Sequence, residues 1–161
     1  MRNLYTKQAA GMTLIELVIA MAILAILAAM VLPLAEVTVT RTKELELRRA
    51  LRVIRTAIDG YKQDYDKAVA EKKIFAIVGE SGYPEELDIL LEGNDWGGLY
   101  PFKKKYLRRV PEDPFDRDSY GWGLRAYLDE PDSTVWGGED VYDVYSQSEA
   151  IALDGTSYRD W

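Results

Sequence analysis

Residues 11–35 read GMTLIELVIAMAILAILAAMVLPLA, and the rest of the chain is organised around them. Residues 17–35 hold no charge and no strongly polar side chain. A helix of that length spans about 28 Å, close to the hydrocarbon thickness of a bilayer. A helix packed into a small soluble domain keeps one polar face. This one keeps none, so it belongs in a membrane or in the core of an assembly. One carboxylate, Glu16, stands near its start and one proline, Pro33, near its end. No small-residue cleavage site closes the run, which continues past Ala28 and Ala29, so it does not read as a secretory signal peptide. The segment before it carries Arg2 and Lys7 and no acid. Those charges hold the N-terminus in the cytoplasm and place the rest of the chain outside it.

Beyond Pro33 the apolar pattern narrows to a stripe. Leu47, Leu51, Ile54, Ile58, Tyr61 and Tyr65 recur every three or four residues, the spacing of an amphipathic helix. The expectation is one helix from about residue 12 to about residue 70, kinked at Pro33. Arg48, Arg52 and Arg55 share another face, read as solvated, with Glu44 one turn before Arg48 as a supporting pair. The stripe is too short for a coiled coil of several heptads. Residues 79–82 (GESG) break the helix. A short helix with Pro84 in its first turn and Gly93 as its stop is expected next. Later, Tyr120, Trp122, Leu124, Ala126 and Leu128 alternate with other residues, as in a half-buried strand. Residues 141–146 (VYDVYS) read as its antiparallel partner. Residues 150–153 read as a third short strand before an Asp154-Gly155 turn. The fold class is α+β.

Composition removes several functions. There is no histidine and no cysteine, so the commonest general base, the thiolate nucleophile and the usual zinc ligands are missing. That argues against an enzyme; an anchored enzyme using paired carboxylates is the weakest reading, because no two acids stand as a convincing pair. The chain has 20 Lys+Arg against 27 Asp+Glu. Without residues 1–11 the balance becomes 18 against 27, which argues against nucleic acid as a partner. Charge is also segregated. Residues 41–55 hold six basics and two acids, whereas residues 112–161 hold thirteen acids and three basics. Such ends attract between staggered copies, and that attraction weakens with salt.

The segment Gly11-Met12-Thr13-Leu14-Ile15-Glu16 resembles the processing site of type IV pilin-like proteins, the prepilins and pseudopilins. The resemblance implies a prepilin peptidase that cuts after Gly11 and methylates the new amine of Met12. Met12 departs from the phenylalanine usual at that place. Pro33 lies where many relatives carry a helix-kinking proline. A second resemblance is to the major pseudopilins of type II secretion. It rests on Gly82-Tyr83-Pro84 after the long helix, on residues 106–115 (YLRRVPEDPF) and on Tyr145-Ser146. About a dozen residues near 66–80 look like an insertion relative to that family. The basic run 103–109 lacks a glycine-rich loop and reads as a solvated or subunit-contacting patch.

The resemblance implies a leader (1–11), a transmembrane and filament-core helix (12–35), its amphipathic continuation (36–70) and a periplasmic α+β domain (71–161). It implies a homopolymer anchored in the bacterial inner membrane. Its partners would be the prepilin peptidase, minor pseudopilins, an assembly platform and an outer-membrane secretin. Glu16 costs about 2.5–3.5 kcal/mol at the centre of a membrane helix and less near its end. It either reaches the headgroups or pairs with the Met12 amine of a neighbouring subunit. Major pseudopilins bind calcium after the last strands, and Ser146, Glu149, Asp154 and Asp160 are the side chains available for that here. The family's Gly-Ala-Asp-Gly pattern is absent, and an acidic loop closed by Trp161 is the other reading. Two rivals share the anchor: a type IV pilin or minor pilin of a surface fibre, and an unassembled membrane-anchored binding domain.

Overall fold

The computed structural model describes residues 11–116 and 119–161, with the backbone alone at Met30, Leu32, Pro33 and Leu34. The charges of Arg2 and Lys7 fall outside the described residues, and the backbone at Pro33 is helical. Helix α1 is Leu14–Ala70, 57 residues, as the periodicity requires. It ends without a glycine. Lys72 takes the left-handed conformation (φ 57°), Lys73 N–H donates to Ala68 O (2.9 Å) and Lys72 N–H to Val69 O (3.0 Å). This double closure satisfies carbonyls that the last turn leaves open.

The chain divides into two compact units, Met1–Val39 and Thr40–Trp161. In the first, Leu17, Ile19, Ile23 and Ile26 each expose half or more of their surface. Among the described residues no helix is long and apolar enough to cross a membrane. The apolar run of the sequence includes the four positions described by backbone alone.

In the second unit the stripe is buried: Leu47, Leu51, Ile54, Ile58 and Tyr61 join Leu90, Trp96, Leu107, Val141, Val144 and Tyr158 in one core. Each large aliphatic side chain buried this way contributes about 1.5–3 kcal/mol. Helix α2 is a single turn, Ile89–Glu92. The longer helix expected from Pro84 does not form, because Pro84 is buried and its carbonyl accepts from Val141 N–H (2.7 Å). The stop at Gly93 is where the sequence puts it (φ 79°), its N–H donating to Ile89 O (2.9 Å).

Strands β1, Trp122–Arg125, and β2, Asp143–Ser146, pair antiparallel with Leu124 opposite Val144 and Arg125 opposite Asp143. The strand is shorter than the alternation over 120–128, and Tyr120 and Leu128 are exposed. Burial also favours the other face: Gly123 and Arg125 are buried, Trp122 and Leu124 only half-buried. The loop that follows β1 covers that face. Arg125 Nε donates to Ser133 O (3.0 Å), and its guanidinium lies 4.2 Å from the Tyr145 ring centre. Gly123 leaves the space this ring fills, since a Cβ there would collide with it. The third strand reduces to one bridge, Ile151 to Ser157. The Asp154-Gly155 turn between them is tight, with Ala152 N–H on Thr156 O (2.8 Å) and Gly155 at φ 88°.

Candidate functional site

Gly11, Met12 and Thr13 precede α1 and are exposed. Helix entry is set by a reciprocal pair: Glu16 N–H donates to Thr13 Oγ1 (3.3 Å) and Thr13 N–H to a Glu16 carboxylate oxygen (3.4 Å). This is a capping box, legible in Thr13-Leu14-Ile15-Glu16 and not noticed in the sequence reading. It stops the helix at Leu14 and leaves the Gly11–Met12 bond in non-helical, open chain, where nothing lies near Gly11. A peptidase needs that access. Glu16 therefore does local work, holding the helix start, besides being the lone carboxylate of an apolar segment.

The face of Arg48, Arg52 and Arg55 is not uniformly solvated, and Glu44 does not pair with Arg48. Glu44 accepts from Leu153 N–H (2.7 Å) and from the Tyr158 hydroxyl (3.1 Å). Arg48 pairs with Asp154 (3.4 Å) and lies over the Trp161 ring at 3.9 Å. Arg55 donates to both Asp143 oxygens (2.6 and 3.2 Å), to Val144 O (3.1 Å) and to Trp161 O (2.7 Å). The helix thus grips β2 and the last turn of the chain, a 3-10 helix at Tyr158–Asp160. Burial first, then the Glu44 carboxylate, pushes the Tyr158 hydroxyl up to about 12.

A second network, missed in the sequence, centres on Asp64. Its carboxylate is buried on α1 and accepts from Lys104 Nζ (2.5 Å), Tyr106 Oη (2.6 Å) and Tyr100 Oη (2.8 Å). Burial pushes the Asp64 carboxyl up, and the three donors more than offset this, leaving it below the usual value. The network ties loop 94–107 to the helix. Asp64 falls in the stripe between Tyr61 and Tyr65, and a carboxylate at a core-facing position was the signal. Asp140 plays the same part elsewhere, buried and bonded to Ser81 Oγ and to Tyr127 N–H (2.8 Å).

Two of the four side chains available for calcium are already engaged within the chain. Ser146 is fully buried and its hydroxyl accepts from Ser148 N–H (3.2 Å). Asp154 accepts from Thr156 N–H (3.0 Å) and Oγ1 (2.6 Å) as well as from Arg48. Among the described residues no group of three or more carboxylates gathers as a metal-holding cluster. A calcium loop needs six to eight converging oxygens.

The geometry is an open, non-helical Gly11–Met12 bond immediately before an apolar helix that starts at a capping box. Residues 6–32 match the family model of the prokaryotic N-terminal methylation motif. No curated protein and no solved structure matches the chain. The chain therefore carries a type IV pilin-like prepilin signal, which implies prepilin-peptidase processing and filament assembly and indicates a structural subunit.

Proposed function

We propose that the chain is a structural subunit of a type II secretion pseudopilus. Cleavage after Gly11 exposes the Met12 amine, residues 12–35 anchor the subunit in the inner membrane, and the domain lies in the periplasm. Subunits then pack their apolar helices into a filament core whose growth drives protein export through an outer-membrane secretin. The observation that carries this is the methylation motif at residues 6–32, joined to a helix whose apolar side chains find no cover within their own unit. In that core Glu16 is supported as the partner of a neighbour's Met12 amine, because a lone carboxylate among apolar side chains needs a cation. The test is the N-terminal mass of the membrane-extracted protein. N-methyl-Met12 is expected; an intact Met1 would favour an unassembled anchored domain.

The same motif supports a type IV pilin or minor pilin equally. Residues 113–115 (Asp-Pro-Phe) and Tyr145-Ser146 incline the reading to the pseudopilin. Deleting the gene separates the two: blocked export supports the pseudopilus, loss of a surface fibre with intact export supports the pilin. Calcium stays outside this reading, because Asp154 is already held by Arg48 and Thr156. Chelation is expected to leave the melting temperature unchanged; a clear drop would restore a calcium site.

A further inference from the structure

One face of the second unit gathers cations that the fold leaves without partners. Val53, 42 % exposed on α1, lies at its centre. A cleft of ≈480 Å³ separates it from Lys104–Leu107 on one side, and another of ≈540 Å³ from the 108–112 segment on the other. Arg49, Arg52, Lys105, Arg108 and Arg109 line this strip, are exposed, and make no ion pair among the described residues. Glu46, Asp59 and Glu112 are the acids that line clefts with them. Three other acids packed against this helix or its loops are committed: Asp64 to Lys104, Asp143 to Arg55, Asp154 to Arg48. In a chain of net charge −7 such a face is a localised reversal of sign. It attracts an acidic surface and repels its own kind.

A matching surface exists on the same molecule. The loop after β1 exposes Glu130, Asp132 and Glu139, together with Leu128 (84 % exposed) and Val135 (75 %). It is held in shape on the Gly123–Arg125–Tyr145 face of the sheet. Arg125 Nε donates to Ser133 O, the Tyr145 hydroxyl to Thr134 O (3.3 Å) and Trp136 Nε1 to Asp140 O (2.7 Å). A loop already ordered loses little entropy on docking.

We propose that the basic strip around Val53 docks the acidic 128–139 loop of a second copy of this chain. Two different, complementary patches on one chain make a heterologous contact, which propagates into open polymers where a self-complementary one closes into dimers. This rests on the assembly reading above and adds where the domains meet.

The chain has no cysteine, so introduced thiols report without background. Two full-length versions of distinguishable mass, Val53→Cys and Val135→Cys, are co-expressed, oxidised in membranes and separated by sedimentation. A disulfide-linked mixed dimer in the pelleted polymer is expected. Reversing Arg52→Glu with Arg109→Glu lowers the linked fraction about tenfold, and adding Glu130→Arg with Asp132→Arg restores it. Unchanged melting of the reversed variants shows that they still fold. Polymer without the mixed dimer, or with only like-to-like dimers, overturns the contact and leaves assembly standing. No polymer at all overturns both.

Discussion

The two halves of α1 have the same backbone and opposite relations to the rest of the chain. From Leu47 to Tyr61 the apolar residues form a stripe, and residues of the same domain cover it. From Leu14 to Ile26 they point all around the helix and stay exposed. A stripe asks for one neighbour, which a chain supplies to itself by folding back. A helix apolar on every side asks for cover all round, from lipid or from copies of itself. Polar residues confirm the division. In the second half Asp64, Arg55 and Glu44 are matched within the chain. In the first, Glu16 bonds only locally among the described residues, with Thr13.

The sharpest way to break this contrast is at Glu16. Glu16→Ala is expected to be cleaved and inserted normally and to form no filament. Glu16→Gln still accepts from the Thr13 amide and so keeps the cap. It too is expected to fail, because assembly uses the charge. Filaments from the Gln variant, seen by electron microscopy, would assign Glu16 to capping alone.

Next in size is a matched pair on the helix. Ile54→Ala should cost about 3 kcal/mol in thermal or denaturant unfolding, through the cavity it leaves. Ile26→Ala should leave the domain's unfolding unchanged and lower filament yield. Equal effects on domain stability would erase the distinction between the halves.

Asp64→Ala should cost about 2 kcal/mol, because it strands two tyrosine hydroxyls and a lysine. The folded carboxyl titrates below its free value of 3.8. Its contribution is therefore present above that value and lost as pH falls through the folded one. Acid unfolding of the Asp64→Asn variant should accordingly be shallower as pH falls below 3.8.

The smallest effect is Tyr158→Phe, about 1 kcal/mol for the bond to Glu44. The folded hydroxyl is raised from 10.0 to about 12, so its contribution is full below pH 10 and lost as pH rises toward 12. Melting temperature against pH should fall less steeply there in the phenylalanine variant.

What the sequence read correctly was periodic or local. The stripe, the long helix, the stop at Gly93 and the Asp154-Gly155 turn follow from spacing and backbone preference within a few residues. The errors share one cause. The helix at Pro84, the length and buried face of β1, and the Glu44–Arg48 pair were decided by partners far along the chain. Val141 takes the Pro84 carbonyl, the loop after β1 covers Arg125, and Leu153 and Tyr158 take Glu44.

By itself, then, the sequence determined the apolar helix, the methylation motif at its start and the lone carboxylate, because each is a matter of residue type at short spacing. Only the tertiary structure decided which charges are spent inside the domain and which remain on its surface. The pairs Arg55–Asp143 and Arg48–Asp154 join residues 88 and 106 positions apart, and no local pattern carries that choice.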